Sequence, residues 1–160
     1  AVFSFKRLCA EARGAADYLA IAQTYHTVIL VGIPRMGPEN RNEAARFVTQ
    51  TRAKDGALLL FIRHTSASLL IQENADPDVR TDLATALERL APANAAWVHD
   101  VEGPDDMPAH VKTMLIGVSL HVPVIDGALG LGTWQGIYIA EHRARPHRRE
   151  IVLQFIGSRR

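Results

Sequence analysis

The sequence predicts a single compact α+β domain with a β-sandwich or barrel-like core and two to three helices. Three observations carry this prediction. Apolar runs of strand length recur at residues 25–33, 57–64, 118–125, 128–140 and 150–157, and several are rich in β-branched residues. Between them lie segments with helical spacing and helix-capping residues. The length of 160 residues, 48% of them hydrophobic, suffices for one well-buried core and is too short for two ordinary domains. The domain is therefore taken as residues 1–160, with 1–22 as a peripheral N-terminal extension.

In that extension Leu8, Ala12, Ala15 and Leu19 recur at mixed spacing, which predicts a peripheral helix weakened by Gly14. Tyr25 to Ile33 reads as a strand stopping before Pro34. A helix follows, capped by Asn40 or Asn42 and running through Lys54, with Ala44, Phe47, Val48 and Thr51 as its stripe. Ala57 to His64 is continuously apolar until its end, which predicts a central strand covered on both sides. Asp76 before Pro77 reads as an N-cap with proline at the first helical position. The helix it starts would bury Val79, Leu83, Ala86, Leu87 and Leu90 and close at Pro92. Ala95 to His99 is a short strand candidate. Pro108 starts a further helix that ends at Gly117. Asp126-Gly127 separates two apolar runs and predicts a hairpin turn with positive φ, while Pro123 marks an edge position or bulge. Glu150 to Gly157 is a last, largely buried strand, and the basic turn of residues 143–149 before it reads as solvated.

Composition excludes several classes of function. Eighteen Lys and Arg against seventeen Asp and Glu leave a net charge of +1, with no global attraction to nucleic acid or an anionic membrane. No aromatic residues interleave the basic turn as a single-strand binder would require. No apolar run approaches the ~20 residues that span a bilayer. The single Cys9 supplies neither a disulfide nor a thiolate cluster, which fits a reducing compartment, the cytoplasm.

The chemistry-bearing residues gather at element ends. Seven histidines are present; His64, His99, His110 and His142 fall at predicted strand ends or a helix start beside polar clusters. No HExxH, P-loop, GxGxxG or GxSxG is present, so any metal ligands must meet through folding. His64 and Ser66 are two residues apart and can share a strand face, yet no third group is placed to orient them as a triad. Asp100, Glu102, Asp105 and Asp106 crowd the loop between His99 and His110, which requires solvation or facing cations.

The segments HTSASLLIQENADPDVRTDL, HDVEGPDDMPAHVK and GLGTWQGIYIAEHR, in this order, closely resemble the YjbQ-like family, described as secondary thiamine-phosphate synthases. The resemblance runs from about Ala57 to Gly157. It implies a β-rich α+β homotrimer with a ligand site near subunit boundaries, and a weak or auxiliary capacity to join the pyrimidine and thiazole halves of thiamine phosphate; the alternative expectations are a non-catalytic protein binding a small phosphorylated ligand or a metal, and a metal-dependent phosphate-ester hydrolase. In those motifs fall His64, Glu73, Asn74, Asp76, His99, Glu102, Asp105, Asp106, His110, Lys112, Trp134, Gln135, Glu141, His142 and Arg143. The expected ligand is thus a small phosphorylated heteroaromatic compound. Glu73, Asp105, Lys112, Glu141 and Arg143 are the catalytic candidates; Ser66, Asn74, Asp76, His99, Trp134 and Gln135 are the ligand-binding candidates. His64, His110 and His142 are the candidate ligands of a divalent metal: zinc if three imidazoles bind it, magnesium if the carboxylates do.

Overall fold

The computed structural model describes residues 2–10, 29–32, 43–145, 147 and 149–160, and of 2–10, 29–32 and 43 the backbone alone. Strands β1 (Val2–Ala10), β3 (Ala53–Ile62), β5 (Ser119–Ile125), β6 (Ala128–Leu129) and β8 (Arg149–Arg159) form a five-stranded antiparallel sheet ordered β1-β8-β3-β5-β6. A second antiparallel sheet holds β2 (Ile29–Gly32), β7 (Gln135–Glu141) and β4 (Ala67–Glu73), with β7 central. Helices α1 (Glu43–Gln50), α2 (Pro77–Leu90) and α3 (Asp106–Ile116) complete the described elements. Among the described residues the sheets do not close into a barrel.

One apolar cluster joins the two sheets. Leu58, Leu60 and Ile62 of β3 meet Ile151, Leu153 and Phe155 of β8, Leu69 of β4, Ile137 of β7, and Phe47 and Val48 of α1. Along β8 every second residue from Arg149 to Phe155 is buried, the period of a strand with one face on a core. That alternation turns Arg149 inward, at 4% exposure. The basic turn is therefore not wholly solvated.

Several expectations are corrected. Residues 2–10 are a strand, not part of a helix, because the long β8 offers them an edge over nine paired positions; tertiary pairing outweighs weak local propensity. The rest of 1–22, the segment 25–28, Ile33, His26 and the cap candidates Asn40 and Asn42 lie outside the described residues. Helix α1 buries Ala44, Phe47 and Val48 as expected but ends at Gln50 rather than Lys54. Arg52, at φ 54°, reverses the chain into β3. Strand β3 is central, between β8 and β5, yet only one face is sealed, since Phe61 is 46% exposed. Helix α2 starts at its expected cap, Asp76 accepting a hydrogen bond from the Asp78 N–H at 2.8 Å. It buries no residue completely, however, and Leu90 stays exposed, so it lies on the surface. Residues 95–99 form no strand.

The Asp126-Gly127 turn has φ of 50° and 83°, as a tight hairpin requires. The hairpin itself lasts two pairs, Ile125 with Ala128 and Val124 with Leu129. The chain then leaves the sheet, and residues from Gln135 onward enter the other sheet as β7. No helix among the described residues is long and apolar enough to cross a membrane.

Candidate functional site

Strand register decides which candidate residues can meet. In the β4–β7 pair Ala67 lies opposite Glu141 and Glu73 lies opposite Gln135. His64 and Ser66, just before β4, therefore share an end with Glu141, His142 and Arg143, just at and after β7. The start of β8 at Arg149 and the start of α3 at Asp106 join them there through side-chain contacts. Glu73, Asn74, Asp76, Trp134 and Gln135 lie at the other end, about 20 Å along the strands at ~3.3 Å per residue.

Two interactions networks occupy the first end. In the inner one, Arg149 grips Glu141, its Nε donating to Oε2 at 2.6 Å and its Nη2 donating to Oε1. The same guanidinium faces His64 Nδ1 at 3.2 Å and donates to Ser66 Oγ at 3.1 Å and to the Ser66 carbonyl at 3.2 Å. Burial, and next the Arg149 charge, push His64 below the usual imidazole range. Beside it His142 is buried, with Nε2 2.9 Å from Ser68 Oγ and Nδ1 without a hydrogen-bond partner among the described residues. Burial first, then the charges of Lys112 and Arg149, push His142 down to about 3, so it is a neutral ring. Lys112 is 2% exposed and donates to Glu88 at 2.5 Å.

The outer network is built on Asp106, which α3 buries at its first turn. Asp106 Oδ1 accepts from Arg143 Nη1. Its Oδ2 lies 2.7 Å from His99 Nε2 and 3.3 Å from His110 Nε2. The two imidazoles tilt against each other with centroids 5.6 Å apart. Their i, i+4 spacing places Asp106 and His110 on one face of α3. His110 Nδ1 points at the Thr65 carbonyl at 3.0 Å, and Arg143 donates further to the Glu102 carbonyl at 2.8 Å. Asp105 lies 3.3 Å from Arg143 Nε and accepts from the Ala144 N–H at 2.8 Å. Burial raises the Asp105 carboxyl, but that N–H and Arg143 outweigh it and hold it below the ordinary range.

His99 also lines an open recess of about 470 Å³ with Ala96, Trp97, Val98 and Met107. The recess therefore sets apolar surface beside two imidazoles that solvent can reach.

The geometry regroups the expected metal ligands. Among the described residues, the set of three whose donor atoms lie within 4.8 Å of one another is His99, Asp106 and His110. His64 is turned to Arg149 and His142 to Ser68, so neither joins His110 in a three-histidine set within the chain. Arg149 and Ser68 were not singled out from sequence. Arg149 was legible as the inward position in register with Ile151 and Leu153; Ser68 carried no such sign.

At the far end the candidates support one another. Asn74 Nδ2 donates to the Gln135 carbonyl at 3.1 Å, its N–H donates to the Trp134 carbonyl at 2.9 Å, and Gln135 Oε1 accepts from Gly132 at 2.8 Å. The Tyr138 hydroxyl donates to the Glu73 carbonyl at 2.8 Å. Asp76 serves as the helix cap, and Trp134 is 65% exposed.

Residues 41–158 match the family model described as UPF0047 protein YjbQ-like. The chain belongs to the YjbQ-like UPF0047 family. A UPF0047 protein of Synechocystis is 44% identical over 141 residues, covering 87% of this chain and 96% of that protein. The UPF0047 protein YjbQ of Salmonella typhimurium is 50% identical over 103 residues, 64% of this chain and 75% of its own. Among solved structures, a YjbQ/UPF0047 family protein of Clostridium acetobutylicum superposes with a TM-score of 0.76 at 29% identity, over 94% of this chain and 99% of that one. A YbjQ-like protein of unknown function from Sulfolobus solfataricus shares the fold, with a TM-score of 0.78 at 21% identity over 98% and 99% of the two chains. The UPF0047 match spans the outer network, the inner one and the recess.

Proposed function

We propose that this protein is a transferase of the thiamine-phosphate synthase type, acting as a cytoplasmic homotrimer on small phosphorylated heteroaromatic substrates. In the reaction a ring nitrogen of the thiazole phosphate attacks the exocyclic methylene of the pyrimidine diphosphate. A carbon–nitrogen bond forms, the carbon–oxygen bond to the diphosphate breaks, and pyrophosphate leaves with the electron pair. A divalent cation is part of the proposal, since it would neutralise charge developing on the leaving group.

The observation that carries this reading is the convergence of His99, Asp106 and His110 beside an apolar recess. Charge-handling groups next to a wall containing Trp97 suit a ligand with a flat ring and a phosphate. The sequence-based roles shift accordingly. Lys112 is held by Glu88, and Arg143 by Asp106 and the Glu102 carbonyl, so the accessible His99 and His110 are left to hold the divalent ion, which would face the leaving group.

Purified protein supplied with the two halves and a divalent ion should form thiamine phosphate and pyrophosphate in equal amounts. His99→Ala and His110→Ala should each lower the rate by about 100-fold, the range for losing a positioned group. Absence of coupled product, or turnover indifferent to both substitutions, defeats the proposal. Phosphate release from either half alone would instead identify a phosphate-ester hydrolase. Tight calorimetric binding without turnover would identify a binding protein.

A further inference from the structure

We propose that His99, Asp106 and His110 are the ligands of a mononuclear metal centre of the zinc class, with Arg143 as the residue that positions Asp106. The ligand set and the ion's class go beyond the transfer reaction and do not depend on it.

The orientation of His110 carries the assignment. A backbone carbonyl only accepts hydrogen bonds, so the Nδ1 that faces the Thr65 carbonyl at 3.0 Å bears the proton. Nε2 is then the ring nitrogen turned to Asp106 Oδ2, 3.3 Å away, and the donor atoms of His99, Asp106 and His110 all lie within 4.8 Å of one another. The pattern of an Nδ1–H held by a backbone carbonyl, leaving Nε2 to bind, is how proteins fix a metal-ligating histidine.

The remaining donors agree. His99 Nε2 reaches the same Oδ2, so two imidazoles converge on one carboxylate oxygen. Ligands at about 2.0–2.2 Å in tetrahedral array stand about 3.3 Å apart, close to the His110–Asp106 separation, while the His99–Asp106 contact of 2.7 Å must widen as the ion enters. Asp106 cannot turn away, because Arg143 holds its other oxygen while itself being fixed by the Glu102 carbonyl. Arg143 also balances the carboxylate's charge. The side chains of His99 and His110 are 43% and 34% exposed, so a fourth position opens to solvent, as in catalytic rather than structural zinc sites. Two imidazoles with one carboxylate select zinc and its neighbours over magnesium, which requires mainly oxygen ligands.

The experiment is a titration of full-length protein, stripped with chelator, with Zn²⁺ alone, followed by calorimetry and by metal analysis after desalting. One zinc per chain is expected, unaffected by excess Mg²⁺. Co²⁺ in the unmodified protein should give the visible absorption of a four- or five-coordinate ion. His110→Ala and His99→Ala, both at accessible positions, should weaken zinc binding at least 100-fold, while His121→Ala, on an exposed histidine of β5, should leave it unchanged. Arg143→Lys should weaken it 10- to 100-fold at unaltered stoichiometry. The centre is overturned by substoichiometric zinc, by affinity indifferent to His99 and His110, or by equal competition from Mg²⁺. Undiminished affinity in Arg143→Lys overturns the positioning role. Zinc bound without product formation would defeat the transferase reading and leave the centre standing.

Discussion

His142 shows how one residue's surroundings become a property of the whole protein. Its ring is buried beside Ser68, with Lys112 and Arg149 adding positive charge, and it gains a proton only near pH 3. An unfolded chain binds that proton near pH 6.5, so below this value the unfolded state takes up more protons than the folded one. Stability attributable to His142 is therefore intact above pH 6.5 and falls as pH drops from there toward 3, by roughly 2 kcal/mol between pH 7 and pH 5. His142→Gln keeps a polar partner for Ser68 and cannot titrate. Urea unfolding at pH 7 and pH 5 should show the variant losing markedly less stability than the parent, and parallel losses would sink the account. His142 was legible in the sequence as a candidate because it ends an apolar strand beside Glu141 and Arg143. Its burial was not, since the partners that enclose it come from β4, α3 and β8 and no local spacing encodes them.

At the level of elements, the β3–β8 junction depends on two glycines meeting face to face. A Cβ on Gly157 would lie 2.3 Å from the Asp55 carbonyl oxygen and 2.7 Å from Phe155 Cζ; one on Gly56 would lie 2.2 Å from the Ile156 carbonyl oxygen. Backbone cannot yield to such overlap as a flexible side chain can. The junction coincides with the register shift between Ala53 and Gly56. Gly157→Val should thus cost about 3 kcal/mol, at the upper end of overpacking penalties, read as a lowered denaturant midpoint. A change below 0.5 kcal/mol would show that the strands can part without loss. Local chemistry made the Asp126-Gly127 turn, the Asp76-Pro77 start of α2 and the Gly117 stop of α3 readable in advance, because each is decided within a few residues. The end of the hairpin after two pairs was not readable. Both halves of residues 128–140 alternate as strands should, and only the competition between two sheets decides that the second half pairs with β2 and β4. Strand β1 illustrates the same limit: Phe3 and Phe5 alternate with Ser4 and Lys6, a period-two hint overridden by the helical spacing further along.

At the scale of the whole molecule the candidate residues fall at two ends of the β4–β7 pair. Trp134, Gln135 and Asn74 lie about 20 Å along the strands from Glu141, yet the family motifs contain both groups. In the homotrimer proposed above, the Trp134 end of one copy would approach the His99–His110 end of another, and each ligand site would then draw on two chains. Exposed apolar side chains support such packing: Val98 is fully exposed, Val101 91%, Met114 76% and Trp134 65%. Apolar surface of this kind, with an indole included, is characteristic of subunit interfaces. Sedimentation should therefore give three times the 17.6 kDa chain mass. Val98→Glu should release single chains by burying an unpaired charge at the contact. Because His99, Asp106 and His110 all come from one chain, the released chains should still take up zinc while losing synthesis of thiamine phosphate. A parent protein that sediments as one chain at micromolar concentration would remove the trimer. Full synthesis by separated Val98→Glu chains would show that one chain carries the complete site and that the Trp134 end takes no part in it.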